Sequence, residues 1–244
     1  MTVFEATLVF FGGLIAGGIN SMAGGGSLLT VPLLDVAGVT GLLANGTNRV
    51  AVLFSNGTSA YSYAKRGVDV WRRSIPVVIP SVVGGLVGAT LISNLDDAAF
   101  KKLFGVLMIP LLAMALWKPR AKTAPEPWPA SIVVVVFFLV GIYAGAIQAG
   151  VGLFLVLLLA RAGYDLVEAN ALKTIVILGV SATAVPVFVA KGQVSWLPAV
   201  VLAAGMGLGG YVGAKFAVEG GERVIRPVLV VSVVALAGRM VGLY

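Results

Sequence analysis

The chain has 244 residues, of which 59% are hydrophobic and 11% are charged, and its formal net charge is +7. A soluble domain is about half apolar and about a quarter charged, so this composition indicates an integral membrane protein. Histidine and cysteine are both absent, which excludes thiol catalysis, disulfides and the usual zinc and haem ligands. We therefore expect no metal, no cofactor and no catalytic residue.

The positive charge is concentrated in two short stretches, residues 65–73 and 118–122. Short basic loops between apolar spans follow the positive-inside rule of membrane proteins. A nucleic-acid surface would need a soluble domain, and the composition offers none. The expected partners are thus the lipid bilayer and a small anionic substrate, with no nucleic acid; the oligomeric state stays open.

Apolar segments recur along the whole chain, starting with residues 3–19, which lack the basic flank and cleavage site of a signal peptide. A helix needs about 20 apolar residues to cross a bilayer core of about 30 Å. Eight segments approach this length, four in each half: 3–20, 44–64, 74–94 and 99–117, then 130–147, 168–190, 197–217 and 224–242. Between the halves, residues 118–129 are rich in proline and polar side chains, which predicts a linker.

Two further apolar segments, 25–36 and 151–162, are only about a dozen residues long. At about 1.5 Å per residue they would cover about 18 Å, too little to cross unaided. We interpret them as half-helices or re-entrant segments. Short, glycine-interrupted segments at matching places in two halves are the best sequence indication of a transport site.

The two halves repeat each other at an offset of 125 residues. Gly67 falls on Gly192, Trp71 falls on Trp196, and the pattern Gly-Gly-x-x-Gly-Ala occurs at 84–89 and again at 209–214. We predict an all-α membrane protein of two repeats, residues 1–117 and 130–244, joined by the linker 118–129. Each repeat would hold about four transmembrane helices and one short segment.

The relative orientation of the two repeats stays open. If the short segments do not cross the membrane, each repeat has four spans and the repeats run parallel. If the short segments do cross, each repeat has five spans and the repeats are inverted, which the asymmetry of the basic residues favours.

Glycine clusters precede both short segments, at 24–26 before Ser27 and at Gly150 and Gly152. Glycine-rich backbone at the start of a helix can present free N–H groups to an anion. Irregular backbone at membrane depth is tolerated where it lines a cavity or is buried in protein. The alternative interpretation is a tight turn between two helices.

Polar residues recur inside the apolar segments 44–64 and 168–190, and each segment contains one cation, Arg49 or Lys173, at nearly the same position in its repeat. Charge inside a membrane usually faces a cavity or a partner, which predicts a functional role. Alternatively, both cations lie near helix starts and extend outward to the interface. The predicted anion ligands are Asn20, Gly24, Gly25, Gly26, Ser27, Asn45, Thr47, Asn48, Arg49, Asn56, Gln148, Gly150, Gly152, Asn170, Lys173, Thr174, Ser181 and Thr183.

The ten carboxylates all fall at predicted helix ends or in loops. A carboxylate relay deep in the membrane is therefore not visible. This distribution favours a pathway for anions over one for cations.

Several of these motifs together resemble the TauE/SafE family of membrane transporters, also called sulfite exporters. The motifs are GGIN (17–20), AGGG (23–26) with Pro32 downstream, ANGTNR (44–49), RGVDVW (66–71), the stretch 145–152, ANALK (169–173) and KGQVSW (191–196). The resemblance covers most of the chain and implies a multi-pass protein of the bacterial inner membrane that exports sulfite, sulfonates or related organic anions. One departure is that Leu157 and Leu158 stand where the second repeat would carry the counterpart of Pro32.

The resemblance leaves the direction of transport open, since an importer or channel-like facilitator of the same anions would use the same physics. A membrane-embedded enzyme or the anchor subunit of a redox complex is a third interpretation. The missing histidine and cysteine, the lack of clustered acids and the internal duplication favour a transporter.

Overall fold

The computed structural model describes residues 1–96, 98–100, 102–103, 129–148, 150–162 and 164–240. Within these residues the chain is helical and has no strand, so the predicted all-α fold is confirmed. The helices are α1 (Val3–Ala23), α2 (Ser27–Val36), α3 (Gly41–Lys65), α4 (Trp71–Ser93), α5 (Ala130–Ala146), α6 (Val151–Arg161), α7 (Leu166–Ala190) and α8 (Trp196–Met240). The predicted fourth helix, 99–117, and the predicted linker, 118–129, lie mostly outside the described residues.

Several of these helices are long and apolar enough to cross a membrane, which makes the chain a multi-pass membrane protein. They are α1, α4, α7 and the part of α8 that ends at Gly221, where the backbone leaves the helical region (φ 52°, ψ −144°). Residues 29–36 and α3 would form a fifth span, bent by 119°. The described residues thus contain four or five such spans, fewer than the eight predicted segments. One reason is that α5 has only 17 residues, because extended backbone at Ile147 ends it (φ −133°, ψ 120°).

The two predicted short segments are short helices, α2 and α6, with 10 and 11 residues. Pro32 lies inside α2, whereas α6 contains no proline and is equally short. Gly150 precedes α6 in the left-handed region (φ 77°), where a side chain would be strained, and this turn sets its start. The missing proline at Leu157 therefore does not lengthen the second short helix.

Glycines hold neighbouring helices at close distance. A Cβ atom on Gly84 or Gly88 would lie 2.1 or 2.0 Å from a carbonyl oxygen of α5, and one on Gly209 would lie 1.9 Å from Leu14 O of α1. Glycine is needed at these positions because the helix backbones almost touch. The repeated glycine pattern at 84–89 and 209–214 therefore serves helix packing.

Helices α3 and α7 run antiparallel. Gly46 near the start of α3 lies against Phe188 near the end of α7, whereas Gly57 further along α3 lies against Leu178, earlier on α7. In contrast, α1 runs parallel to α8, since Gly13 lies against Leu202 and Gly17 against Met206.

The bounds of α3 and α7 differ by 125 residues at both ends, which is the offset of the predicted duplication. The duplication itself stays a prediction from sequence. Because α3 and α7 are its equivalent helices, their antiparallel course gives the two repeats opposite orientations. Of the two arrangements that the sequence left open, the helix directions favour inversion.

Candidate functional site

The two predicted glycine clusters lie against each other in the interior. A Cβ atom on Gly24 would lie 2.1 Å from the carbonyl carbon of Gly152, and Ser27 Oγ donates to Gln148 O at 3.3 Å. These contacts bring the N-terminal ends of α2 and α6 together, and neither end has a side-chain cap. Two uncapped helix starts present partial positive charge to the same region.

Packing alone also requires part of this glycine pattern. Gly24 adopts a left-handed conformation (φ 79°), and a Cβ atom on Gly26 would lie 2.0 Å from Ala16 O. The tight-turn interpretation and the anion-site interpretation therefore both fit residues 24–26. Gly25 and Gly150 are buried with them.

Lys173 is fully buried and bonded to the C-terminal end of α1. Its ammonium donates to the carbonyl oxygen of Asn20, to Ser21 O at 3.3 Å, and to Asn170 Oδ1 at 3.2 Å. The hydroxyl of Tyr63, from α3, donates to the same Ser21 carbonyl at 3.0 Å. The C-terminal end of a helix carries partial negative charge, so a cation is favoured here.

Arg49 is also fully buried, but its surroundings are different. Its three guanidinium nitrogens have no hydrogen-bond partner in the described part of the chain, and its Cζ lies over the ring of Phe188, 5.1 Å from the centroid. A cation–π contact provides part of the missing electrostatic stabilisation. This contact with the Phe188 ring gives none of the five guanidinium N–H groups an acceptor.

Counter-charges for these two cations are absent from the described residues. The ion pairs found there involve Glu5, Glu168 and Glu219, all at helix ends or on the surface. A buried charge without a partner is costly, so an unpaired buried guanidinium calls for an explanation such as a missing anion. The alternative that both cations extend outward to the interface is not what the structure shows, since each is 0% exposed.

Further predicted ligands surround Arg49 on the first turns of α3. Asn45 Nδ2 donates to Ala146 O, at the end of α5, at 3.0 Å, and Thr47 Oγ1 accepts from Ser195 N at 2.9 Å. The side-chain oxygen of Asn48 is buried and has no partner within the described residues. This part of α3 is thereby fixed to the end of α5 and to the loop before α8.

Asn56 and Ser181 occupy the middle of the antiparallel pair. They differ by the repeat offset of 125, and both are buried. Asn56 Nδ2 donates to Val52 O of its own helix at 2.8 Å, whereas Ser181 Oγ lacks a partner in the part of the chain that the structure describes. A polar pair thus lies between the levels of the two cations.

The cations themselves lie at opposite ends of the α3–α7 pair. Arg49 is level with Phe188, and Lys173 is level with Tyr63 through their shared Ser21 carbonyl. Between Arg49 and Tyr63, α3 rises about 21 Å, at about 1.5 Å per residue. The two cations, although nearly equivalent at the offset of 125, are therefore not at one depth, because the helices that hold them run in opposite directions.

The remaining predicted ligands bond within their own helices. The hydroxyls of Thr174 and Thr183 donate to Asn170 O and Val180 O at 2.8 and 3.0 Å, which uses their only hydrogen. Asn170 Nδ2 donates to Leu166 O at 2.8 Å and keeps a second hydrogen. In this arrangement both threonines can accept but not donate, whereas an anion needs donors.

Sequence analysis missed three residues of this region: Ser21, Tyr63 and Phe188. Tyr63 and Phe188 are themselves 125 residues apart, so the repeat offset was a usable signal for both. Ser21 contributes mainly through its carbonyl oxygen, which side-chain identity does not reveal.

Multiple apolar helices, uncapped half-helices that meet in the interior and buried cations define the class of protein as a membrane transporter. The family model described as sulfite exporter TauE/SafE matches residues 9–240. The chain belongs to this family.

Curated relatives carry general names. A probable membrane transporter protein ORF9 of Sinorhizobium sp is 30% identical over 96% of this chain and 91% of its own length. A probable membrane transporter protein of Haemophilus influenzae is 29% identical (96% and 93%), and the probable membrane transporter protein YfcA of Escherichia coli K12 is 25% identical (96% and 88%). No solved structure matches the chain significantly.

Proposed function

We infer that this transporter exports a small sulfur-containing anion, sulfite or a sulfonate, across the bacterial inner membrane, with Arg49 as its principal ligand. The observation that carries this proposal is the buried guanidinium of Arg49, which has no partner among the described residues. An entering anion would supply the counter-charge that the described residues lack there.

The chemistry of a guanidinium fits this class of anion. Arginine presents parallel N–H groups that bind two oxygens of one group at once, and sulfite and sulfonate each offer three oxygens. The second hydrogen of the Asn45 amide and the uncapped start of α6 add donors near the same end of α5. The name of the matching family supports sulfite and the outward direction.

Transport by purified protein in liposomes tests this proposal. We expect sulfite flux from the wild-type protein and loss of that flux in Arg49→Ala and Arg49→Gln. Lys215→Ala is the matched control, because Lys215 is an exposed cation whose only ion pair in the described structure is a 3.9 Å contact with Glu219. Normal flux in both Arg49 variants would reject Arg49 as the ligand.

The same liposomes test the direction and the rival functions. Flux with and without an imposed proton gradient or membrane potential distinguishes an exporter from an importer and from a channel-like facilitator. Selectivity is tested by competition with alkyl sulfonates and carboxylates. If carboxylates compete as strongly as sulfite, the proposed selectivity for sulfur-containing anions is rejected, whereas the proposed anion site at Arg49 is retained.

A further inference from the structure

We propose that Lys173 and Arg49 cap the C-terminal ends of α1 and α5 in turn, so that one cation is free for the anion while the other holds a helix end. This inference rests on the proposed function, because the free cation is the anion ligand. It assigns Lys173 the role of a positioning residue in the arrangement described.

The ammonium of Lys173 has no hydrogen left for a substrate. It carries three hydrogens, and the three acceptors are Asn20 O, Ser21 O and Asn170 Oδ1. Two of these are carbonyls in the last turn of α1, next to the glycine cluster at Gly24. Lys173 therefore ties the start of α7 to the last turn of α1, beside the first glycine cluster.

The second repeat contains residues equivalent to those at the end of α1, but these residues make different contacts. At the offset of 125, the counterparts of Asn20 and Ser21 are Gly145 and Ala146, in the last turn of α5. Asn45, one turn before Arg49 on α3, already donates to Ala146 O. Arg49 therefore lies on the helix that contacts the end of α5, yet its guanidinium makes no hydrogen bond to that end.

The aromatic residues follow the same asymmetry. Tyr63 donates its hydroxyl to the end of α1, whereas its counterpart Phe188 has no hydroxyl and lies under the guanidinium of Arg49. One helix end therefore contacts a cation and a phenol, whereas the equivalent helix end accepts from the Asn45 amide.

Transporters built from inverted repeats alternate access by rocking or gating one repeat against the other around a fixed site. In this protein that motion exchanges the two caps. The exchanged state of this protein places Arg49 on the carbonyls of Gly145 and Ala146 and releases Lys173 from α1. A helix C-terminus favours a cation in either state, and the released cation again lacks a counter-charge. An anion on Arg49 therefore stabilises the state described, and an anion on Lys173 stabilises the exchanged state.

Hydrogen exchange read by mass spectrometry tests the exchange of caps, because amides at an uncapped helix end exchange faster. The peptides to compare cover residues 20–29 and 141–153. In Lys173→Met we expect exchange over 20–29 to rise about threefold or more, and exchange over 141–153 to fall, because Arg49 then caps α5 more of the time. Arg49→Met should give the opposite pair of changes, and Lys173→Arg should resemble the wild-type protein.

A purely structural role for Lys173 predicts a different result. Exchange over 20–29 would rise in Lys173→Met while exchange over 141–153 stayed unchanged or also rose, and either result overturns the proposal. Should Lys173→Met fail to fold, Arg49→Met decides alone: unchanged exchange at both ends, or faster exchange at 20–29, rejects alternating caps.

A third arm adds excess sulfite to the wild-type protein. We expect slower exchange over 20–29 and faster exchange over 141–153, because an occupied Arg49 cannot cap α5. Opposite changes in the two methionine variants without a sulfite effect would keep the alternating caps and reject Arg49 as the preferred sulfite ligand. A sulfite effect without opposite changes in the variants would keep the proposed function and reject the caps.

Discussion

The two ends of the α3–α7 pair contain similar residues in opposite states of bonding. At one end, Lys173 and Tyr63 meet the last carbonyls of α1, and every hydrogen of the ammonium is used. At the other end, Arg49 lies over Phe188 and donates to nothing within the described residues. A buried cation thus serves structure where the protein supplies its acceptors, and it is available to bind an anion where the described residues supply none.

Conservative replacement of the two cations should separate these roles most strongly. Arg49→Lys keeps the charge but loses the fork that bridges two oxygens, so we expect sulfite flux to fall about tenfold to a hundredfold, the equivalent of about 1.4–2.8 kcal/mol. Lys173→Arg keeps donors at the end of α1 and should retain flux within a few-fold. Liposome flux at matched protein density measures both; equal losses in the two variants would show that the ends do not differ in role.

Replacement by methionine should change stability in opposite directions. Lys173→Met removes one donor each from Asn20 O and Ser21 O, which keep Gly24 N and the Tyr63 hydroxyl, and it leaves Asn170 Oδ1 without a donor among the described residues. An unsatisfied buried group costs about 1–3 kcal/mol. Arg49→Met removes an unpaired charge and keeps an apolar stem over Phe188, so we expect a gain of about 1–2 kcal/mol. Thermal unfolding of the purified proteins without added anion gives the comparison. A lower melting temperature for Arg49→Met would mean that Arg49 has a partner in solution.

Anion binding should stabilise the wild-type protein and not the variant without the guanidinium. At a sulfite concentration of 100 times Kd, the expected gain is about 2.7 kcal/mol. Arg49→Met should show no sulfite-dependent rise in melting temperature, with chloride at equal ionic strength as the control. An equal rise in both proteins would place the anion elsewhere.

The smallest expected effect concerns the aromatic pair. Tyr63→Phe removes one donor from the Ser21 carbonyl, which keeps its bond to Lys173, and should cost about 1 kcal/mol of unfolding free energy. Phe188→Tyr adds a hydroxyl at the equivalent place, and we expect it to change stability by less than Tyr63→Phe does. Denaturant titration of both variants measures the difference. A larger change for Phe188→Tyr would indicate that the contact between position 188 and Arg49 contributes more to stability than the Tyr63 hydroxyl does.

Much of the fold and part of the site follow from the sequence. Composition predicts the helical membrane fold, and the length of the apolar runs predicts the short helices α2 and α6. Arg49 and Lys173 are recognisable because charge is rare inside apolar segments. The glycine pattern at 84–89 and 209–214 predicts close helix packing.

The different roles of the two cations do not follow from the sequence. Lys173 meets Asn20, which lies 153 residues away, through a backbone carbonyl that every residue possesses. The antiparallel course of α3 and α7 places the two cations about 21 Å apart along the helix axis, and an offset between residue numbers carries no direction. Tyr63 and Phe188 resemble ordinary core aromatics, which is what such residues in apolar helices usually are.

The parallel contact between α1 and α8 bears on how the protein is made. This contact is the most extensive between any two helices of the described structure, and α5 makes a similar one with α4 of the other half. Helix α1 therefore meets its main partner only after the chain has been synthesised as far as α8. Until then, its glycine face at Gly13 and Gly17 must be covered by lipid or by the insertion machinery, and neither half completes its packing without the other.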